Sequence, residues 1–320
     1  MKLVTFEAGN DSRKLGALTE DLQRVTDLQA VHLRAHGAGH PSLASMQRLI
    51  DGGSEGLAAA AGCVADATPA EKQPLDRVRL LAPLPLPPQI RDCLCFEDHL
   101  INAMEAGTRR TGRPPSQQQV DMLETMRRQP IWYKANRFAV VGPDHEVRWP
   151  AYSKLMDYEL EMGMVLGRTG VNISREDAGD YIFGYTIFND LSARDAQVRE
   201  MSGGLGPAKG KDFDGANVFG PCIATADEFD PNNANMSVRV NGELRSEGNS
   251  SSMLYRFEDL IAFISRDETL HAGEIIGSGT VGGGCGLELG SFLESGDVVE
   301  LVIEGIGVLR NRIVSATHED

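Results

Sequence analysis

Residues 157–166 read DYELEMGMVL, and residues 181–190 read YIFGYTIFND. Both segments are short and mostly apolar, which predicts two buried β-strands. In the first segment apolar and acidic residues alternate, so Glu159 and Glu161 project from one face of a strand while Leu160 projects from the other. The two segments together predict that strands, rather than long helices, build the central part of the chain.

The chain from Trp132 onward continues as short apolar segments broken by turn residues. Within it, Met236–Val240 and Glu243–Ser246 flank Asn241-Gly242, which predicts a β-hairpin. Four prolines between positions 82 and 88 predict an extended connection and a domain boundary. We therefore expect an α+β, β-rich fold with a small N-terminal α+β domain at 1–82 and a catalytic domain at 83–320.

Helices are predicted in fewer places. Residues 42–50 and 54–61 each open with a serine that is suited to cap a helix, and glycines separate them. A short helix is predicted over 96–106. The polar stretch 107–130 reads either as a mobile insertion or as a helical excursion, and whether it closes over a site as a lid is left open.

Composition excludes several classes of function. Lys plus Arg total 31 against 46 Asp plus Glu, a formal charge of -15, so a nucleic-acid-binding surface is not expected. No apolar run reaches the length of a membrane span, and the amino terminus lacks the apolar region of a signal peptide, so we expect a cytoplasmic protein without membrane contact. The odd number of scattered cysteines predicts reduced thiols: Cys63, Cys93, Cys95, Cys222 and Cys285.

The paired acids of the first segment carry the clearest chemical signal. If Glu159 and Glu161 lie side by side on a partly buried face, they repel each other unless a cation sits between them. Oxygen ligands suit Mg²⁺, Ca²⁺ or Mn²⁺. Asp190, at the end of the next buried strand, is placed to complete such a site. The alternative is the solvent-facing side of an amphipathic edge strand.

The order of these motifs resembles the fumarylacetoacetate hydrolase family. The resemblance covers about residues 90–310 and rests on Glu159-x-Glu161, on the segment 189–197 (NDLSARDAQ), on Gly210-Lys211 and on Gly220-Pro221. It implies a mixed β-sandwich roll like the C-terminal domain of that family, and a homodimer.

The resemblance also implies roles for individual residues. The metal ligands would be Asp92, Glu159, Glu161 and Asp190. The catalytic groups would be His99 as general base, Glu288 as the residue that orients it, and Lys211. The substrate would be held by Arg194, Gln197 and Thr280. Histidine suits the role of base because it gains and loses a proton near neutral pH.

Together these features lead to a hypothesis about function. We expect a Mg²⁺- or Ca²⁺-dependent hydrolase that cleaves a carbon–carbon bond in a small anionic β-diketo acid, such as an acylpyruvate or a fumarylacetoacetate-like compound. A 2-oxo acid decarboxylase, isomerase or hydratase, or a non-catalytic protein that binds metal or ligand, stays open. Leu94, Asn102 and Gly215 depart from the residues that family members carry there; Asn102 argues against the decarboxylase subtype.

Overall fold

The computed structural model describes residues 1–9 and 13–315 and is a strand-rich, mixed α+β structure. Its strands are β1 (Lys2–Glu7), β2 (Lys14–Leu18), β3 (Arg24–Asp27), β4 (Lys72–Pro74), β5 (Arg79–Leu80), β6 (Ile90–Cys93), β7 (Trp132–Ala135), β8 (Val140–Val141), β9 (Glu146–Trp149), β10 (Met156–Asp157), β11 (Leu160–Leu166), β12 (Ile182–Asp190), β13 (Ser192–Ala193), β14 (Asn217–Thr225), β15 (Asn235–Val240), β16 (Glu243–Asn249), β17 (Ile275–Gly277), β18 (Val298–Ile303) and β19 (Gly307–Ser315). Its α-helices are α1 (Leu28–His36), α2 (Met46–Asp51), α3 (Gly53–Asp66), α4 (Glu97–Thr111), α5 (Gln117–Arg128), α6 (Arg194–Met201), α7 (Ala208–Lys211), α8 (Phe257–Ile264) and α9 (Gly286–Leu289). The predicted α+β, β-rich class is confirmed.

One large sheet organises the molecule. Its strand order is β4-β3-β2-β1-β14-β12-β11-β17-β6-β7, with β5 paired to β1 and β8 paired to β14. The two predicted buried strands, β11 and β12, lie next to each other and run antiparallel. Because β1 pairs with β14, the N-terminal strands extend the same sheet. The division into domains at residue 82 stays a prediction.

A second sheet has the order β16-β15-β18-β19-β9. It contains the predicted hairpin, since β15 and β16 are joined at Asn241-Gly242, where both residues have positive φ. An Asn-Gly pair adopts that conformation more readily than other residues, which explains why the sequence signal was reliable. The hairpin prediction is confirmed.

Apolar residues cover both faces of the large sheet. Met162 and Ile187 on one face share a buried cluster with Val238 and Leu301 of the second sheet. On the other face a separate buried cluster contains residues of helices α1 to α3 and of the large sheet, including Leu28, Leu49, Val165, Phe188 and Phe219. Strands β11 and β12 are therefore buried on both sides, as their nearly continuous apolar sequences predicted.

The helices differ in detail from their predicted bounds. Helix α2 begins after Ser45, whose hydroxyl accepts from the Arg48 amide, so the predicted cap at Ser42 is wrong: that residue lies in a 3₁₀ turn opened by Pro41. Helix α3 begins at Gly53, so the predicted cap at Ser54 is wrong as well, and it continues past residue 61 to Asp66. For the polar stretch 107–130 the helical reading is the correct one, because the end of α4 and all of α5 lie within it.

The five cysteines are all buried and free, as predicted. Among the described residues, we find no helix that combines the length and the apolar character required to cross a bilayer.

Candidate active site

Three acidic side chains from separate strands of the large sheet meet at one place. Asp92 lies in β6, Glu161 in β11, and Asp190 is the last residue of β12. The three are brought together by the order of their strands, β12-β11-β17-β6. The register contributes as well, because it aligns Gly277 of β17 with Asp92 on one side and with Gly163 on the other. One oxygen of each carboxylate lies within 4.8 Å of the other two.

Gly277 gives these carboxylates their room. A Cβ atom at this position would lie 2.5 Å from Asp92 Oδ1 and 2.9 Å from Glu161 Oε2, closer than a carbon and an oxygen approach without a covalent bond. The two acids therefore fold over the bare backbone of β17, which lies between their strands. Any side chain at residue 277 would displace them.

The acid cluster has the electrostatics of a cation site. Burial raises the pKa of Asp92, and burial together with the nearby Asp92 and Asp190 raises the pKa of Glu161 well above its ordinary value. Asp92 Oδ1 and Asp190 Oδ1 are buried without a hydrogen-bond partner. The possible ligand atoms are all carboxylate oxygens, and two of them lack a hydrogen-bond partner. The cluster therefore fits a hard divalent cation.

Tyr133 closes one side of the cluster and was not predicted. Its hydroxyl donates to Asp190 Oδ2 over 2.6 Å. Burial raises the pKa of Tyr133 well above its ordinary value, with a further contribution from the negative charge of Asp190, so the hydroxyl keeps its proton and stays a donor. Tyr133 and Lys211 thereby hold Oδ2 of Asp190, whereas Oδ1 has no hydrogen-bond partner.

Glu159, the fourth predicted ligand, does not belong to this converging group. Its carboxylate is bound by Arg194 Nη2 at 2.7 Å and by Lys211 Nζ, which also contacts Asp190. Burial alone would raise the pKa of Glu159, but the positive charges of Arg194 and Lys211 hold this pKa below its ordinary value. Both acids of the Glu-x-Glu pair are buried, so the solvent-facing alternative is wrong.

Arg194 and Gln197, predicted to hold substrate, are engaged with the protein. Arg194 Nε donates to Asp157 Oδ2 at 2.8 Å, and its Nη1 donates to Gln197 Oε1 at 2.9 Å. Its remaining nitrogen, Nη2, forms an ion pair with Glu159 Oε1 at 2.7 Å. Arg194 therefore contacts both Asp157 and Glu159, and its role in holding substrate stays a prediction. Thr280 places its hydroxyl 3.5 Å from Glu161 Oε1.

Asp157 links the acid cluster to the other half of the site. Its carboxylate, fully buried, accepts from Arg194 and from the amides of Gly286 and Leu287 at 2.7 and 2.9 Å. Those amides begin helix α9, which carries Glu288. Asp157 therefore fixes both the guanidinium of Arg194, which holds Glu159, and helix α9, which carries Glu288.

Replacing Asp157 by asparagine tests this link. We expect the free energy of unfolding to fall by about 3 kcal/mol, because the buried Arg194 loses one of its two charged partners. Denaturation in urea measures the change. Asp144→Asn, which breaks an exposed pair with Arg310, is the matched control and should have a much smaller effect. Equal effects of the two substitutions would contradict a role for Asp157 as a buried link.

His99 and Glu288 form a buried pair beside the acids. His99 Nδ1 lies 2.7 Å from Glu288 Oε1, and Glu288 Oε2 accepts from Asn102 Nδ2 at 2.9 Å and from the Gly283 amide at 2.7 Å. Since the carboxylate acts as acceptor toward these groups, Nδ1 is the protonated nitrogen of His99. Its Nε2 is then left as an acceptor, which is the state a general base requires.

The glycine-rich loop 279–285 joins the pair to the acids. Its Gly284 carbonyl accepts from the Leu160 amide at 3.0 Å, and the backbone of Cys285 bridges that of Glu159. The side chain of Cys285 donates to Glu288 Oε1 at 3.3 Å. Burial raises the pKa of the Cys285 thiol well above its ordinary value, so it is a neutral donor rather than a nucleophile.

Comparison with known proteins agrees with this arrangement. The family described as "Fumarylacetoacetate (FAA) hydrolase C-terminal" matches residues 90–314. The oxaloacetate tautomerase YisK of Bacillus subtilis is 35% identical over 244 residues, which are 75% of this chain and 74% of that protein. The mitochondrial oxaloacetate tautomerase fahd2 of Xenopus laevis is 31% identical over 98% of this chain and 90% of its own. A solved fumarylacetoacetate hydrolase from Exiguobacterium antarcticum has a TM-score of 0.75 and 30% identity, with 98% of this chain and 99% of that chain covered.

Proposed function

Because this chain belongs to the fumarylacetoacetate hydrolase family, we propose that it is a divalent-metal-dependent hydrolase that cleaves a carbon–carbon bond in a small anionic β-diketo acid. The proposal rests above all on the His99–Glu288 pair, whose loop is joined by the Cys285–Glu159 backbone bridge to the segment that carries the buried acids. A base alone would support many reactions. A base beside a site for a hard cation suits substrates that pass through an enolate.

Asp92, Glu161 and Asp190 would hold the cation, with Glu159 next to them. When bound, Mg²⁺, Ca²⁺ or Mn²⁺ supplies the Lewis acidity that stabilises an enolate. His99 takes a proton from water through Nε2, and Glu288 holds the imidazole in the required tautomer. Lys211 provides positive charge for a developing oxyanion.

Keto–enol tautomerisation of a 2-oxo acid is a second candidate. Two relatives at 31% and 35% identity are named oxaloacetate tautomerases. In addition, Arg194 and Lys211 are already paired with carboxylates. A tautomerase forms no tetrahedral intermediate, so it has less need of unpaired positive side chains to stabilise an oxyanion. In this reaction His99 would move a proton between carbon and oxygen of the substrate.

Product analysis separates the candidates. The purified protein, supplied with Mg²⁺, is incubated with a panel of acylpyruvates and with oxaloacetate, and products are identified by mass spectrometry. Two fragments that together have gained one water support hydrolysis. Unchanged mass with faster loss of the enol absorbance supports tautomerisation, and release of CO₂ indicates a decarboxylase. No turnover on the panel, or activity unaffected by EDTA, contradicts the proposal. Size-exclusion chromatography with light scattering tests the proposed homodimer.

Lys211 offers a further test of the proposed chemistry. We expect Lys211→Met to lower kcat by about two orders of magnitude, the usual effect of losing one oxyanion donor. Lys209→Met is the matched control, because Lys209 is exposed and lies over the ring of Tyr152. Turnover of the Lys211 variant within twofold of the wild type would remove this residue from the proposed mechanism.

A further inference from the structure

A second set of possible metal ligands lies within the described residues, apart from the acid cluster. His99 Nδ1, Cys285 Sγ and Glu288 Oε1 lie within 4.8 Å of one another, and all three side chains are buried. The separations are 2.7 Å from nitrogen to carboxylate oxygen, 3.3 Å from sulfur to oxygen, and 3.9 Å from sulfur to nitrogen. Three different kinds of ligand atom therefore face one point.

These separations are close to those of a tetrahedral zinc site. Zinc bonds of about 2.0 Å to nitrogen and oxygen and about 2.3 Å to sulfur place neighbouring ligand atoms roughly 3.3 to 3.6 Å apart. Adjustments of about half an ångström would bring the three atoms to those separations. The nitrogen, sulfur and oxygen set favours zinc or cadmium, whereas the all-oxygen cluster of Asp92, Glu161 and Asp190 favours magnesium or calcium.

We propose that His99, Cys285 and Glu288 bind Zn²⁺ or a chemically similar thiophilic cation, and that this binding inhibits the enzyme. The surrounding structure prepares the site. Asn102 and the Gly283 amide hold Glu288 Oε2, so Oε1 stays directed at His99 and Cys285. Partners that orient a ligand from behind in this way are typical of metal sites.

Inhibition follows from the positions of the protons. Binding displaces the thiol proton of Cys285, which goes to solvent, and the metal takes the place of the proton on His99 Nδ1. In a neutral imidazole that proton then resides on Nε2. His99 loses the lone pair with which it would accept a proton, so turnover stops. This consequence rests on the proposed function, whereas the binding itself does not.

Cadmium is a suitable probe, because a cadmium–thiolate bond absorbs in the ultraviolet. The full-length protein, saturated with Mg²⁺ to fill the oxygen cluster, is titrated with CdCl₂. We expect absorbance that saturates at one equivalent in the wild type and in the control Cys222→Ser, whose thiol lies in the hydrophobic core and donates to the Ile306 carbonyl. It should be absent in Cys285→Ser. Glu288→Gln and His99→Asn should bind at least about tenfold more weakly, because each loses one ligand.

X-ray absorption at the zinc edge, on the wild-type protein with Zn²⁺ and excess Mg²⁺, tests the same site without any variant. One sulfur neighbour at about 2.3 Å supports the proposal, and a shell of oxygen and nitrogen alone would overturn it. Cadmium absorbance that persists in Cys285→Ser would overturn it as well. Confirmed zinc binding without any catalytic activity on the substrate panel would leave this site intact and refute only the proposed function.

Discussion

His99→Asn is expected to lower kcat by about three orders of magnitude while leaving the folded structure intact. The asparagine amide reaches the position of His99 Nδ1 and keeps a donor for Glu288 Oε1, so the buried carboxylate retains its partners. It has no nitrogen that accepts a proton. The substitution therefore removes the base and little else, which steady-state kinetics and a thermal unfolding curve measure together.

The control for this experiment is His36→Asn, since His36 is exposed at the end of helix α1. It should leave kcat unchanged. Glu288→Gln should also reduce kcat strongly, because an amide nitrogen would face the donors Asn102 and Gly283 and would disturb the His99 tautomer. An active His99→Asn enzyme would refute the assignment of the base.

Glu161→Gln is expected to abolish the response to metal. Wild-type protein at a metal concentration of about 100 times Kd should gain about 2.7 kcal/mol in free energy of unfolding, and the variant should gain almost none. The metal-free variant should be more stable than the metal-free wild type, because one of three mutually repelling acids has become neutral. Its activity should fall to the level of the EDTA-treated wild type.

Unfolding curves with and without Mg²⁺, for the variant and for the exposed control Glu247→Gln, measure both changes. The variant is expected to gain stability in the absence of Mg²⁺ and to lose the stabilisation by Mg²⁺. A protein that is merely damaged would instead be less stable than the wild type in both conditions. A variant that is stabilised by Mg²⁺ as much as the wild type would show that Glu161 is not a ligand.

Features encoded by neighbouring residues were predictable from the sequence. The hairpin at Asn241-Gly242 follows from the backbone preferences of two residues, and the buried strands β11 and β12 follow from apolar runs of strand length. The Glu159-x-Glu161 spacing alone left open a solvent-facing strand; the second apolar segment ending at Asp190 and the family resemblance favoured the buried acidic site that the structure contains. Each of these signals is contained within about ten residues.

The contacts that assemble the site were not predictable in this way. His99 and Glu288 are 189 positions apart, and no local pattern relates them; only the family resemblance did. Arg194 pairs with Asp157, 37 positions before it, because a buried guanidinium requires buried acceptors. Tyr133 acts through a contact with Asp190, 57 positions away, so its sequence neighbours carry no signal for it.

Whether the buried acids hold a metal can be seen directly in a crystal of the protein soaked in MnCl₂ and measured with anomalous scattering. We expect a strong anomalous peak between the carboxylates of Asp92, Glu161 and Asp190, with oxygen distances of about 2.2 Å. A map without a peak at these carboxylates, at a Mn²⁺ concentration that supports full activity, would show that the three acids are not the metal site.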